Sequence, residues 1–199
     1  MEQTICIFGD SITWGAWDTE KGGWVNRLKN YFENNNIDVA VYNCGISGDN
    51  TNGLLKRFKN EALARKADIV LFAIGINDSQ YINDHEVVIS IEDFQNNLLE
   101  LINQAKEISQ KVIFIGLTKV DESKTMPVSW NVNKYYDLEN IKLYNTKIKE
   151  ICDNNNLLFI DMFELLENTD SEDGLHPTPQ GHEKMFLKIK EILLSEKIV

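Results

Sequence analysis

Residues 5–15 read Ile5-Cys6-Ile7-Phe8-Gly9-Asp10-Ser11-Ile12-Thr13-Trp14-Gly15. An apolar, partly β-branched run stops at a Gly-Asp-Ser turn, and another glycine follows four residues after the serine. A run of this kind, closed by glycine, predicts a strand buried on both faces of a sheet. The serine then stands just past the carboxyl end of that strand, the edge at which open α/β sheets bind their ligands. Asp-Ser is also ordinary turn and helix-capping chemistry. What the rest of the chain delivers to the same edge decides between the two.

Outward from this stretch, apolar runs and helix-period segments alternate. The runs lie at 4–8, 39–42, 69–74, 112–117 and 157–160. Between them, Val25, Leu28 and Phe32 form one helical stripe, and Ile91, Phe94, Leu98, Leu101, Ala105 and Ile108 a longer one. Ile141, Tyr144, Ile148 and Ile151 make a third, Met185, Ile189, Ile192 and Leu193 a last, and residues 50–66 a weaker one. Strands alternating with helices imply right-handed crossovers and a parallel sheet covered on both faces. The expectation is an α/β protein: a three-layer α/β/α sandwich with a five-stranded parallel sheet, formed by residues 1–199 as a single domain. Asparagine runs at 34–36 and 154–156 end helices ahead of strands, and Thr178-Pro179 marks a helix start. The one long irregular segment, 119–136, follows the fourth strand on the serine's edge; it reads either as a binding loop or lid, or as a loop packed down by its own aromatics.

A formal net charge of −11 over 199 residues argues against nucleic acid or an anionic membrane as partner, since both need a basic face. The three cysteines, Cys6, Cys44 and Cys152, all lie in apolar or helical patterns and read as small buried hydrophobes of a reducing compartment. No apolar run approaches the ~20 residues of a membrane span, and the first strand leaves no room ahead of it for a secretory signal. A cytoplasmic protein without membrane insertion is expected. Oligomeric state has no signature here.

Each strand end carries polar residues. After the first come Asp10 and Ser11; after the second, Asn43-Cys44-Gly45-Ile46-Ser47-Gly48-Asp49; after the third, Gly75-Ile76-Asn77-Asp78. Beyond the fifth comes Asp173-Gly174-Leu175-His176-Pro177. In a parallel sheet these ends meet at one rim. Acyl transfer at a serine needs such a set. The hydroxyl is a weak nucleophile until a base removes its proton, a histidine does this near neutral pH, and a carboxylate on the other ring nitrogen fixes the tautomer. The tetrahedral oxyanion needs donors placed in advance, for which a glycine amide and an asparagine side chain are suited.

Gly9-Asp10-Ser11, Gly45, Gly75-Ile76-Asn77-Asp78 and Asp173-Gly174-Leu175-His176-Pro177 together resemble the SGNH hydrolases, also called the GDSL lipase/esterase family, in that family's order and over nearly the whole chain. The resemblance implies a flavodoxin-like α/β/α fold, a nucleophile at Ser11, a general base at His176 and an orienting carboxylate at Asp173. It implies an oxyanion hole of the Ser11 and Gly45 amides with the Asn77 side chain. Ile12 stands where the family usually has leucine. The implied activity is that of a serine esterase on a small-molecule carboxylic ester, short-acyl or an O-acetyl carbohydrate, through an acyl-enzyme. The same site could instead serve an acyltransferase, and a flavodoxin-like binding module with no activity is the reading from another class.

Other residues are weighed beside these. Asp170 and Glu172 compete with Asp173 for the histidine. Asp10 and Asp78 suit hydrogen bonds that brace their turns; Asp78, with Trp14 and Trp130, is also a candidate substrate contact. Trp14, Trp17, Trp24 and Trp130 offer either sugar-stacking faces or ordinary packing. His85 and His182 read as surface residues. Paired cysteine spacings, a histidine pair on one helical face, a G-x-G-x-x-G turn and a phosphate loop are all missing, so neither a metal nor a cofactor is expected. Ser47 lacks the G-x-S-x-G spacing of a nucleophile elbow.

Overall fold

The run at 4–8 forms β1 (Gln3–Gly9), an interior strand of the sheet, and the one-turn helix α1 (Ser11–Trp14) follows it. These coordinates come from a computed structural model, which describes residues 3–83 and 86–199. The chain continues through α2 (Gly23–Asn34), β2 (Val39–Gly45), α3 (Thr51–Arg65), β3 (Ile69–Ala73), β4 (Tyr81–Ile82), β5 (Glu86–Val87) and α4 (Ile91–Ile108). It ends with β6 (Lys111–Ile115), α5 (Glu122–Thr125), β7 (Lys134–Tyr135), α6 (Leu138–Asn155), β8 (Leu158–Ile160) and α7 (Pro179–Ser195).

The expected sheet has its five parallel strands in the order β2-β1-β3-β6-β8. The chain steps outward from β1 to β2, then crosses back to β3 and continues the other way. A crevice opens at the carboxyl end of strands where the winding reverses in this manner. That reversal falls between β1, which leads to Ser11, and β3, which leads to Asn77.

Register explains the core. Phe8, Phe72, Phe114 and Phe159 stand side by side on four neighbouring strands. Phe58 of α3 packs on two of them, its ring centre 4.9 Å from that of Phe8 and 5.1 Å from that of Phe72. Tilted and edge-on aromatic pairs of this kind add ~0.5–1.5 kcal/mol beyond simple area burial. Helix α3 packs on α4 and α4 on α6 to cover one face, while α2 and α7 pack together on the other.

The segment 119–136 is more ordered than expected. It contains α5, and β7 joins β4 and β5 in a small antiparallel sheet that the apolar pattern did not foretell. Strands of two residues carry too few side chains to show a period. The segment is tied to its surroundings: the Asp121 amide donates to the Gly174 carbonyl at 2.8 Å, the Thr125 hydroxyl to the Tyr136 carbonyl at 2.8 Å, and the Lys124 ammonium to the Glu172 carbonyl at 3.2 Å. No helix among the described residues is long and apolar enough to cross a membrane.

Of the two histidines expected at the surface, His85 lies outside the described residues. His182 is fully buried, a correction to the surface reading. It sits in the first turns of α7 on the same stripe as Met185 and Ile189, the stripe that packs on α2. Its Nδ1 accepts from the Trp24 amide at 3.3 Å, and its Nε2 donates to the Ala16 carbonyl at 2.9 Å. Trp24 is also fully buried, so it offers no face to a ligand.

Candidate active site

Asp10 shapes the ground on which Ser11 stands. Its carboxylate caps α1 by accepting from the Ile12 amide at 2.9 Å, which fixes the turn from strand to helix. Full burial pushes this carboxyl up to about 7, against the opposing pull of the Ile12 amide and of the charge on His176. As the first residue of α1, Ser11 has an amide with no partner inside its own helix.

The other members arrive from the far end of the chain. The loop ahead of α7 turns at Asp173, whose Oδ1 accepts from the amides of Leu175 at 2.9 Å and His176 at 2.8 Å. That local bracing aims the ring of His176. Its Nδ1 lies 2.7 Å from Asp173 Oδ2, and its Nε2 lies 2.9 Å from the Ser11 hydroxyl. Partial burial raises the Asp173 carboxyl, but the hydrogen bonds from the His176 ring and from the His176 and Leu175 amides outweigh it and bring it down to about 2. Asp173 is thus held as the anion across the neutral range. Of its rivals, Asp170 is turned inward onto the Lys184 ammonium at 2.6 Å and the Glu167 amide at 2.9 Å.

Asn77 ends the turn after β3. Its Nδ2 donates to the Asp49 carbonyl at 2.8 Å, and its Oδ1 accepts from the Tyr136 hydroxyl at 2.7 Å. One hydrogen of the amide remains for the cleft. Asp78 behaves differently from its place among the candidate substrate contacts. It is fully buried, with its carboxylate taken up by the hydroxyl and the amide of Thr51. It ties the end of β3 to the start of α3 and touches no ligand space.

Gly45 also departs from the expected donor role. Its N–H is spent on Asn43 Oδ1 at 2.9 Å, and a Cβ there would come within 2.4 Å of the Trp14 nitrogen. Strand β2 runs on to Gly45, so this glycine is a place where α1 crosses the sheet edge closely. The glycine that faces the cleft is Gly48, three residues on. It has a left-handed φ of +78°, open space around its Cα, and an amide without a partner among the described residues. The spacing from the end of an extended strand to the next glycine was the signal for it.

These groups line one cleft of about 520 Å³, bounded by Ser11, Gly48, Asn77, Tyr136, Leu175 and His176, with Trp14, Trp17, Trp130 and Lys134 around its mouth. The three tryptophans are 58%, 55% and 48% exposed. The ring of Trp130 lies 5.7 Å from that of His176. Trp17, which the spacing argument did not single out, donates its indole N–H to Asp173 Oδ2 at 2.7 Å. No cluster of three or more metal-ligating side chains occurs among the described residues.

Residues 7–184 match the model of the GDSL-like lipase/acylhydrolase family. The chain is 30% identical over 125 residues to the uncharacterised lipoprotein YqeF of Bacillus subtilis, a match covering 60% of this chain and half of that protein. It is 23% identical over 158 residues to an acetylxylan esterase of Geobacillus stearothermophilus, covering 73% of this chain and 68% of that one. Among solved structures, the acetylxylan esterase Axe2 of the same organism superposes with a TM-score of 0.75 at 20% identity, over 95% of this chain and 93% of that one. LAE5, an α/β hydrolase from the metagenome of Lake Arreo, does so equally well at 19% identity, over 95% and 94%. The two structures agree with this chain in fold, and the sequence match over most of its length shows that it belongs to the GDSL-like lipase/acylhydrolase family.

Proposed function

We propose that the chain is a serine esterase that cleaves short-acyl carboxylic esters, O-acetylated carbohydrate foremost, through an acyl-enzyme on Ser11. The observation that carries this reading is the unbroken relay from the Ser11 hydroxyl to His176 at 2.9 Å and on to Asp173 at 2.7 Å, facing an open cleft. His176 takes the serine proton as Ser11 Oγ attacks the ester carbonyl. The developing oxyanion is received by the Ser11 and Gly48 amides and the free hydrogen of Asn77 Nδ2. The imidazolium, stabilised by Asp173, then protonates the departing alcohol. A water, deprotonated in turn by His176, releases the acid and restores Ser11.

Three half-exposed tryptophans around a nucleophile favour a sugar over a long acyl chain, because they offer flat faces at the mouth rather than a deep apolar tunnel. The acetylxylan esterase among its relatives points the same way. An inactive binding module would have no use for a relay of this geometry. The reading takes residues 1–199 as one hydrolase domain built on the five-stranded parallel sheet. It places the protein in the cytoplasm, supported by three buried and unpaired cysteines; cell fractionation with a tagged chain checks that placement.

The deciding experiment compares the wild-type protein with Ser11→Ala on p-nitrophenyl acetate, longer p-nitrophenyl esters and acetylated xylo-oligosaccharide. Loss of turnover on the order of 10⁴-fold or more at an unchanged melting temperature is expected. Turnover retained in Ser11→Ala overturns the mechanism, and a preference rising with acyl length overturns the substrate class.

A further inference from the structure

We propose that Trp17 is a positioning residue of the catalytic relay, its indole N–H completing the set of donors that holds Asp173 in line with His176; this rests on the esterase reading above.

An ionised carboxylate offers about four acceptor positions. In Asp173 all four are taken. Oδ1 receives the Leu175 and His176 amides, and Oδ2 receives the His176 ring and Trp17 Nε1, the last two each at 2.7 Å. Three of these donors come from the turn that carries Asp173 itself. Trp17 alone comes from elsewhere, 156 residues away in the chain, and it reaches the carboxylate from the mouth of the cleft. Without the indole, that side of the carboxylate opens to water, which competes with the histidine for the same oxygen.

The backbone indicates that this placement is imposed. Trp17 sits at φ +66°, a left-handed conformation that a bulky side chain rarely adopts. Its two neighbours are fixed to buried groups. The Ala16 carbonyl receives Nε2 of His182 at 2.9 Å. The Asp18 carboxylate is ion-paired with Arg27 and accepts from the amides of Lys21 at 3.1 Å and Gly23 at 2.9 Å. Both Asp18 and Arg27 are buried. The buried histidine and the buried ion pair thus grip the backbone on either side of Trp17, whose half-exposed side chain lies across the mouth onto Asp173. Strain of this kind, over-determined by its surroundings, gathers at functional sites.

The effect on His176 has a sign. A donor on Asp173 Oδ2 draws charge away from the oxygen that stabilises the imidazolium, while keeping that oxygen in line with the ring. Losing it leaves a looser but more negative partner. The titratable and charged groups near this pair are Asp10 beside Ser11, the buried His182 of α7, the Tyr136 phenol and Lys134 of the cleft, with Lys124 anchored on the neighbouring Glu172 carbonyl.

Trp17→Phe removes the N–H and keeps an aromatic ring at the mouth. The expected result is a fall of about tenfold in kcat/KM for p-nitrophenyl acetate, carried by kcat rather than KM, with the acid limb of the pH profile moved to higher pH. A ring that served only as a wall would leave the profile where it was. Independently of activity, the Trp17 indole cross-peak in a ¹⁵N–¹H spectrum of the wild-type protein should shift on Asp173→Ala. Wild-type rate and profile in Trp17→Phe, or an indole signal indifferent to Asp173→Ala, overturn the proposal while leaving the esterase reading standing if Ser11→Ala is dead. Activity surviving in Ser11→Ala sinks the esterase reading instead, and the relay proposal with it.

Discussion

The hydroxyl of Tyr136 stands 2.7 Å from Oδ1 of Asn77, and this contact sets which way the Asn77 amide faces. With its oxygen held by the phenol and one amide hydrogen held by the Asp49 carbonyl, the other hydrogen is left for the cleft. Burial, together with the charges of Asp10 and Asp173, pushes the phenol of Tyr136 up, so it remains a donor across any assay pH. A segment expected to be an irregular loop thereby reaches into the chemistry through one residue.

Removing the Asn77 donor and releasing it should therefore differ in size. Asn77→Ala deletes the proposed oxyanion donor and is expected to lower kcat by about 10²–10³-fold. Tyr136→Phe keeps the donor but lets the amide turn, and the expected loss is smaller, about three- to tenfold in kcat with KM little changed. Steady-state kinetics on p-nitrophenyl acetate reads both. Equal losses in the two variants would mean that Tyr136 does more than orient the amide.

The two glycines after β2 separate packing from chemistry. In Gly45→Ala the new methyl meets the backbone of α1, so the expected outcome is a lower melting temperature and loss of soluble protein. In Gly48→Ala there is room for the methyl, yet the left-handed φ costs about 1 kcal/mol and draws the amide off its line. There the expected outcome is a nearly unchanged melting temperature and a kcat down at least tenfold. Thermal melts and kinetics on the same preparations check the pair.

Much of this was legible beforehand, and each miss has its own physical reason. Strands such as 69–74 were readable because both faces are buried and nearly every residue is apolar. Ser11, Asn77, Asp173 and His176 were readable as a group because parallel strands end on one rim. Gly45 was misjudged because its strand runs three residues beyond the apolar run, through Asn43 and Cys44, and shifts the free glycine to Gly48. Asp78 sits beside Asn77 in sequence, but its carboxylate is taken up by Thr51 at the start of α3 and not by the cleft. His182 was misjudged by residue type, although its spacing to Met185 and Ile189 already put it on the buried stripe. Trp17 was readable as an aromatic face or as packing, but its bond to Asp173 gave no signal, since a hydrogen bond across 156 residues leaves no local pattern.

His182 ties stability to pH. The bond that its Nδ1 accepts from the Trp24 amide needs the neutral ring, and burial lowers it to about 4 even though the Ala16 carbonyl pulls the other way; the charges of Arg27 and His176 add to the lowering. In the unfolded chain an imidazole titrates near 6.5. As pH falls below that value the unfolded state takes up a proton that the folded state refuses. The stabilisation is therefore complete above ~6.5 and is lost as pH falls through about 4. Urea unfolding of the wild-type protein and His182→Gln at pH 7.5 and 4.5 isolates the effect, because other titrating groups are common to both. The stability gap is expected to narrow by roughly 2–3 kcal/mol at the lower pH. A constant gap would show that the ring is not held neutral.

The exposed tryptophans test the substrate class. Trp14 on α1 and Trp130 in the segment after β6 flank the cleft mouth, both about half exposed, and neither has a hydrogen-bonded role for its indole among the described residues. If they stack on sugar rings, Trp14→Leu and Trp130→Leu should each raise KM for acetylated xylo-oligosaccharide by about two- to tenfold, the worth of one aromatic face. p-Nitrophenyl acetate has no sugar to lose, so its kcat/KM should stay within about twofold of wild type in Trp14→Leu. Trp130, with its ring 5.7 Å from that of His176, should show the same selectivity with a modest fall in kcat added. Equal losses on the two substrates in Trp14→Leu would remove carbohydrate stacking from the account and leave the tryptophans as walls of a cleft for a simple ester.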